Sequence, residues 1–230
     1  MPNTSIVIEA RNVTLELGSG SARVKILRGI DLDVRAGESL AMLGASGSGK
    51  SSLMAVLSGL ERASGGTIIV AGADFGALDE DGLALARRGR IGIVLQAFHL
   101  LPTMTALENV AVPMELAGRS DAIARAKEEL AAVGLGERHS HYPAQLSGGE
   151  QQRVAIARAM APGPSILFAD EPTGNLDAAT GATIMDLLFT RQQASGATLV
   201  MITHDAALAA RASRIVEMRD GLIIADRANQ

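Results

Sequence analysis

The stretch SLAMLGASGSGKSSLMAVL, residues 39–57, decides the fold of this chain. It opens with a continuous apolar run, which is typical of a strand buried on both faces of a parallel sheet. The run leads into a glycine-rich turn and then directly into a helical pattern. A strand, a glycine-rich loop and a helix in immediate succession predict an α/β protein.

The loop GASGSGKS, residues 44–51, fits the phosphate-loop pattern G-x-x-x-x-G-K-[ST] in full. Its glycines allow the backbone to curl so that successive N–H groups point at phosphate oxygens. Lys50 brings a cation toward the β- and γ-phosphates, the Ser51 hydroxyl can ligate Mg²⁺, and the following helix adds its positive end. A chance match in a glycine- and serine-rich turn has a probability on the order of one per cent. We therefore predict a nucleotide site formed by Gly44, Ala45, Ser46, Gly47, Ser48, Gly49, Lys50, Ser51 and Ser52.

Composition limits the class of protein. The 230 residues are enough for one large domain or two small ones, and with 47% hydrophobic but only 2% aromatic residues the core must be largely aliphatic. No apolar run reaches the roughly 18 residues that cross a bilayer, and the N-terminus lacks the pattern of a secretion signal. The absence of cysteine excludes disulfides and thiolate sites and fits a cytosolic protein. A net charge of −4 without a long basic block predicts no nucleic-acid partner.

Strand and helix patterns alternate along the rest of the chain. Residues 5–43 predict a set of short strands with turns at GSGS and AGE, and further strands are predicted at GGTIIVAG, RIGIVLQ, SILFADEP and TLVMITHD. Helical patterns dominate residues 97–160, and a hairpin at Asp220-Gly221 closes the chain. We expect a single domain over residues 1–230 with a mostly parallel sheet and a helical insertion at about 97–160.

Polar side chains follow three of the predicted strands at the point where each strand ends. Gln96 ends RIGIVLQ, Asp170 and Glu171 end ILFADE, and His204 ends TLVMITH. Taken alone, Gln96, Asp170 or Glu171 would fit an ordinary polar strand end, and His204 would fit a structural histidine. Together with the phosphate loop, their convergence at the sheet edge where α/β ligand sites form predicts one site. We expect Asp170 in the metal shell, Glu171 as general base, and Gln96 in reach of Mg²⁺ or the attacking water.

The stretch QLSGGEQQR, residues 145–153, predicts a helix with an unusual first turn. Ser147 and Glu150 have the spacing of a capping box, in which each side chain bonds to the other residue's backbone N–H. Gly148 and Gly149 occupy the first turn, where each costs up to roughly 1 kcal/mol relative to alanine. Capping alone does not explain a helix that begins with two weak helix formers.

These motifs resemble, in their order, those of the nucleotide-binding subunits of ABC transporters: GASGSGKSS, Gln96, LSGGEQQR, ILFADEP, GNLD at 174–177 and His204. The resemblance covers essentially the whole chain. The stretches QAFHLLPTMTALENVAVPMELAG and LFADEPTGNLD look like the subgroup that serves lipoprotein release, macrolide export and related cell-envelope permeases. The resemblance implies a RecA-like P-loop NTPase core with an N-terminal antiparallel β subdomain and an inserted helical subdomain. It also implies an ATPase that is peripheral on the cytoplasmic face of the cell membrane.

The resemblance further implies a homodimer in which each chain completes the other's ATP site. Residues Ser147, Gly148, Gly149 and Glu150 would face the nucleotide of the second subunit, where glycine lets the backbone approach the γ-phosphate. Lys50 and Ser147 would hold opposite sides of that phosphate, and His204 would contact it. Asp177 would link the two sites, and Ser51, Gln96 and Asp170 would hold Mg²⁺.

Two features bear on the substrate and the membrane partner. Relatives stack the adenine on an aromatic residue, but the matching position here is Leu17, so ATP is expected while GTP stays open. The segment AFHLLPTMTALENVAVPMEL follows Gln96, and in relatives it forms much of the groove for a helix of the integral membrane permease. The same apolar residues would also fit an ordinary helical core.

Three alternatives differ from a transport ATPase. One is an ATPase that regulates a membrane partner without transport, which this sequence does not separate from transport. A DNA-repair or chromosome ATPase would usually carry a coiled coil or zinc module between Lys50 and Asp170, and none is present. A small-molecule phosphotransferase would leave the LSGGE motif without a purpose. In the transport reading, the separate permease chooses the cargo and its direction.

Overall fold

The computed structural model describes residues 5–18 and 23–229. The strands, in chain order, are β1 (Ile6–Leu17), β2 (Val24–Arg35), β3 (Ser39–Leu43), β4 (Gly65–Val70), β5 (Ala73–Asp74), β6 (Ile91–Val94), β7 (Ile166–Asp170), β8 (Thr198–Thr203), β9 (Arg214–Arg219) and β10 (Leu222–Ala228). The helices are α1 (Lys50–Leu57), α2 (Glu80–Arg87), α3 (Ala106–Glu115), α4 (Ala122–Ala132), α5 (Gly148–Met160), α6 (Ala178–Ser195) and α7 (Ala206–Ala209). Most of the predicted GSGS turn and the first four residues of the chain lie outside the described residues.

The chain divides into two compact units, a first unit of residues 1–87 and 198–230 and a second unit of residues 88–197. The first unit contains an antiparallel sheet in the order β2-β1-β4-β5. Its two leading strands are long, whereas the sequence predicted several short ones. Their pairing continues through register shifts, one of them at Asn12 (φ 48°), where the strand bends and does not end.

A second group of strands in the first unit carries the phosphate loop. Strand β3 lies between β8 and β9 and runs parallel to both. All six residues of β8 are buried, which accounts for its continuous apolar sequence. The β9–β10 hairpin turns at Asp220 and Gly221, which both have positive φ (51° and 74°), and this confirms the predicted hairpin.

The second unit combines a parallel strand pair with the helices α3, α4, α5 and α6. Strand β6 pairs in parallel with β7, and α5 contacts β6 as well as α3, α4 and α6. Helix α5 lies very close to β6: a Cβ added at Gly92 would lie 2.5 Å from the Ala159 carbonyl oxygen. No helix among the described residues has the length and apolar character of a membrane span. The predicted α/β class, with an N-terminal antiparallel sheet, parallel strands and inserted helices, is confirmed.

Candidate functional site

The phosphate loop connects β3 to α1 in the first unit, and two contacts fix its path. A Cβ on Gly44 would collide with the carbonyl oxygen of Met218 on β9, so only glycine lets the loop leave the sheet here. Gly49, the residue before α1, has a left-handed φ of 99°. The Gly221 N–H donates to the Ser48 carbonyl at 3.0 Å, so the C-terminal hairpin supports the loop. The sequence alone predicts only a turn at Gly221.

Lys50 begins α1 and lies inside the loop, with 5% of its surface exposed. Its Nζ donates to the carbonyl oxygens of Gly44 at 2.8 Å and Ala45 at 2.9 Å, and it lies 3.4 Å from Ser48 Oγ. The first turn of α1 contains no acidic residue that would compete with an anion. A buried ammonium beside the N-terminus of a helix is chemically suited to bind phosphate groups.

The first unit also holds His204 and Leu17. Leu43 pairs with Thr203 in the parallel register, so Gly44 and His204 follow their strands at the same edge. Thr203 Oγ1 accepts a hydrogen bond from the next-but-one backbone N–H, at 3.1 Å, and the His204 side chain is exposed. Leu17 ends β1 and is 44% exposed, so it can contact a bound group.

Gln96 and the residues after β7 meet in the second unit. Val94 pairs with Ala169, so Gln96, two residues beyond the end of β6, and Asp170 lie at one edge. The loop of residues 171–177, which we call the β7–α6 loop, follows. A Cβ at Gly174 would lie 2.5 Å from Gln96 Nε2, so the Gln96 side chain crosses the loop at its glycine. Asn175 Nδ2 donates to the Gln96 carbonyl at 2.9 Å, which fixes the two segments to each other.

Ser147 and Glu150 form the predicted capping box at the start of α5. The Glu150 N–H donates to Ser147 Oγ at 3.2 Å, and the Ser147 N–H donates to Glu150 Oε2 at 2.8 Å. The hydrogen bond from the Ser147 backbone is the main reason why the pKa of Glu150 lies below its ordinary value. The prediction of a capped helix at this position is confirmed.

The two glycines that follow Ser147 pack against the start of α6 in the same chain. A Cβ on Gly149 would lie 2.6 Å from Thr180 Cγ2, and one on Gly148 would lie 3.3 Å from Leu176 Cδ2. The family resemblance attributes both glycines to a partner's phosphate, and the structure adds an intrachain reason at Gly149. Nearby, Asp177 caps α6, and the hydrogen bond from the Thr180 hydroxyl at 2.6 Å lowers the pKa of Asp177.

The candidate residues divide between the two units. The first contains the phosphate loop, Leu17 and His204, and the second contains Gln96, the β7 carboxylates, the capped start of α5 and Asp177. No group of three or more His, Asp or Glu residues in the described parts of the chain has the arrangement of a metal site. Ser51, Gln96 and Asp170 offer hydroxyl, amide and carboxylate oxygens. These fit Mg²⁺, which commonly uses few protein ligands together with substrate phosphates.

Comparison with known proteins assigns these features to one family. The family model for ABC transporters matches residues 27–174. The ABC transporter ATP-binding protein YbbA of Escherichia coli strain K12 is 48% identical over 223 residues, which cover 96% of this chain and 97% of the relative. The macrolide export ATP-binding/permease protein MacB of Rhodopseudomonas palustris strain BisB18 is 46% identical over 230 residues. That match covers 99% of this chain and 35% of MacB, so the chain spans about a third of that relative.

Solved structures agree with the sequence relatives. A dimeric post-hydrolysis state of the ATP-binding cassette MJ0796 bound to ADP and Pi matches with a TM-score of 0.90 and 37% identity, covering 97% of this chain and 99% of the other. A second dimeric structure of MJ0796, described as a bacterial ABC transporter cassette, matches with a TM-score of 0.89 and 39% identity over 97% of this chain and 99% of the other. The predicted P-loop NTPase fold is confirmed.

Proposed function

This chain belongs to the ABC transporter family, and we propose that it dimerises around ATP to drive a separate integral membrane permease in export across the cell envelope. It is an ATPase cassette, as its likeness to a cassette bound to ADP and phosphate indicates. Export is supported by the relationship to the macrolide export protein MacB, whose name describes an ATP-binding part and a permease part. The observation that carries the proposal is the exposed, capped start of α5, which holds Ser147 at the surface of its unit.

In the proposed hydrolysis, each candidate residue has one task. Lys50 binds the β- and γ-phosphates, and His204 contacts the γ-phosphate. Glu171 accepts a proton from the attacking water, a step worth roughly 10²–10⁴ in rate. Ser51, Gln96 and Asp170 would hold Mg²⁺, which when bound neutralises phosphate charge.

Four residues at the start of α5 would act on the second subunit's nucleotide; we call them the signature residues Ser147, Gly148, Gly149 and Glu150. Ser147 would donate its hydroxyl and the first turn of α5 its backbone N–H groups, because these groups lie at the positive end of a helix. The solved cassettes that match this chain are dimeric, which supports a pair of identical chains. Leu17 would cover one face of the adenine without a π contribution, so ATP is favoured and GTP is a competitor.

The permease would dock beside Gln96 on the cytoplasmic face of the membrane, where the ATPase is peripheral. The segment of residues 97–116 carries two large exposed apolar side chains, Leu101 at 42% and Leu116 at 72%. Its start is held by the second unit's own helix, because Arg158 on α5 donates to the carbonyls of Phe98 and His99. Movement of a docked helix would therefore reach Gln96 through two or three peptide units.

Glu171→Gln tests the proposal. The variant should bind ATP but hydrolyse it at least 100-fold more slowly, because the amide accepts no proton, and it should accumulate as a dimer with ATP and Mg²⁺. Size-exclusion chromatography with light scattering measures the dimer. Glu137→Gln, at an exposed glutamate outside the site, is the matched control and should hydrolyse ATP normally.

A second variant separates dimerisation from nucleotide binding. In the Glu171→Gln background, Ser147→Arg should leave ATP binding to the monomer intact and abolish the dimer. The longer arginine side chain would occupy the space in which the partner's phosphate binds. A Glu171→Gln protein that stays monomeric with ATP contradicts the proposed dimer. Normal hydrolysis by Ser147→Arg alone contradicts the role of the signature residues.

A further inference from the structure

One buried side chain of α5 donates a hydrogen bond to the β7–α6 loop. Gln152 is fully buried, and its Nε2 donates to the carbonyl oxygen of Pro172 at 2.7 Å. Pro172 directly follows Glu171, and it is itself buried. The hydrogen bond therefore joins the helix that begins with the signature residues to the peptide unit next to the catalytic carboxylate.

The amide of Gln152 has its orientation fixed by its partner. Only the amide nitrogen can face a carbonyl oxygen, so Nε2 and not Oε1 points at Pro172. Within the described part of the chain, Oε1 is buried and accepts no hydrogen bond. An apolar side chain of the same length would fill this position without an unmet acceptor. Compared with an apolar side chain, the amide of Gln152 therefore contributes one additional interaction, the hydrogen bond that it donates to Pro172.

The backbone beside this hydrogen bond has a rare conformation. Glu171 has φ 40°, in the left-handed region that non-glycine residues seldom adopt. Such a residue persists where the surrounding structure holds it in place. The hydrogen bonds on this turn include one from the Gly174 N–H to the Glu171 carbonyl at 2.9 Å and the one from Gln152 to the next carbonyl, that of Pro172. This backbone conformation sets the direction in which the Cα–Cβ bond of Glu171 leaves the chain.

We propose that Gln152 is a positioning residue, which holds Glu171 in the left-handed conformation that directs its carboxylate at the attacking water. The inference rests on the proposed role of Glu171 as general base. It also gives α5 a direct connection to that base, because the helix has Ser147 at its N-cap and Gln152 about one and a half turns further on. Loss of the hydrogen bond would release the turn and displace the carboxylate, and a displacement of about 1 Å can cost on the order of 100-fold in rate.

Gln152→Met tests the inference, because methionine keeps the length and removes the donor. We expect kcat for ATP to fall about 10- to 100-fold while KM changes less than about threefold, since the phosphate loop is untouched. Gln192→Met is the matched control: Gln192 is 5% exposed, and its Nε2 also donates to a buried carbonyl, that of Ala197, at 2.7 Å. The control loses a comparable hydrogen bond in α6 and should keep its kcat within about threefold.

Gln152→Glu adds a readout that a loss of stability would not produce. An ionised carboxylate repels the Pro172 carbonyl, whereas a protonated one can donate to it. The ratio of its kcat to that of the wild type should therefore rise as the pH falls. A ratio that is independent of pH, or equal kcat values for Gln152→Met and Gln192→Met, would overturn the inference.

Glu171→Gln in the same series separates the two levels of the proposal. If Glu171→Gln hydrolyses ATP normally, the proposed catalytic role fails. If it is inactive and Gln152→Met behaves like the control, only the positioning role fails. Combining Gln152→Met with Glu171→Gln should add no further loss of kcat, because both changes act on the same step.

Discussion

Replacing Gly149 by alanine tests why α5 begins with glycine. The new Cβ would lie 2.6 Å from Thr180 Cγ2, about 1 Å inside ordinary van der Waals contact, at a buried position. Overpacking of this kind costs about 1–3 kcal/mol, and the better helix propensity of alanine returns up to about 1 kcal/mol. From the midpoints of these ranges, about 2 and about 0.5 kcal/mol, we expect a net loss of about 1.5 kcal/mol, or roughly 3–6 °C in Tm for a chain of this size.

Thr180→Ser should compensate for Gly149→Ala. Serine lacks Cγ2 but keeps the hydroxyl that donates to Asp177 Oδ2 at 2.6 Å, so the cap of α6 is preserved. The double variant should recover most of the lost stability. A double-mutant cycle from thermal or urea unfolding, with Thr180→Ser alone as the control, should give a coupling energy of about 1–2 kcal/mol.

The ATPase activity of the double variant decides what Gly149 is for. The Cβ direction at this residue points at Thr180 of the same chain. Gly149→Ala/Thr180→Ser should therefore regain activity together with stability. Two results would refute this reasoning: a Gly149→Ala protein as stable as the wild type, or a double variant that regains stability but stays inactive.

Two further predictions concern groups on α5. The pKa of Glu150 lies below its ordinary 4.5 because the Ser147 N–H donates to it, so its contribution to stability is complete above about pH 4.5 and is lost as the pH falls through the lower folded value. Glu150→Gln should remove this acid dependence of the unfolding free energy in urea titrations, and an unchanged pH slope would contradict the cap. Arg158 donates at 2.7 Å and 2.8 Å to the carbonyls of His99 and Phe98, whose φ values are 48° and 59°. Arg158→Lys keeps the charge but loses the two-pronged geometry, so amide hydrogen exchange at residues 97–100 should accelerate about tenfold, and unchanged exchange would show that the loop does not depend on it.

The parts of the fold that follow from local chemistry could be predicted from the sequence. The strand, loop and helix around Lys50, the capping box of Ser147 and Glu150, and the hairpin at Asp220 each depend on residues within a few positions of one another. The length of β1 and β2 could not be predicted. Their bulges interrupt the alternation of apolar and polar residues, and whether a strand continues through a bulge depends on its pairing partner.

The side-chain contacts that support the candidate site could not be predicted either, because they too depend on partners that are distant in the chain. Gln152 and Gln151 are neighbours of the same residue type, yet Gln151 donates to the Leu146 carbonyl of its own helix start and Gln152 reaches a loop 20 residues away. One signal distinguishes them. Gln152 lies three residues after Gly149 and four before Ile156, so it falls on the buried face of α5. A polar residue on the apolar face of a helix indicates a specific hydrogen-bond partner, although it does not identify that partner.

The contacts of α5 explain how one helix can control several parts of the second unit. Gly149 packs against Thr180 at the start of α6. Gln152 donates a hydrogen bond to Pro172 in the β7–α6 loop. Arg158 donates to two carbonyls in the segment after Gln96. At 1.5 Å per residue, the first and last of these side chains are about 14 Å apart along the axis. Residues 150–160 include no glycine or proline, so the helix has no built-in hinge between these contacts. A displacement of Ser147 would therefore move all three attachments together, since a continuous helix shifts as a body. Under the roles proposed for Ser147 and Glu171, binding of Ser147 to a second nucleotide and orientation of the Glu171 carboxylate would then be one event in the ATPase cycle.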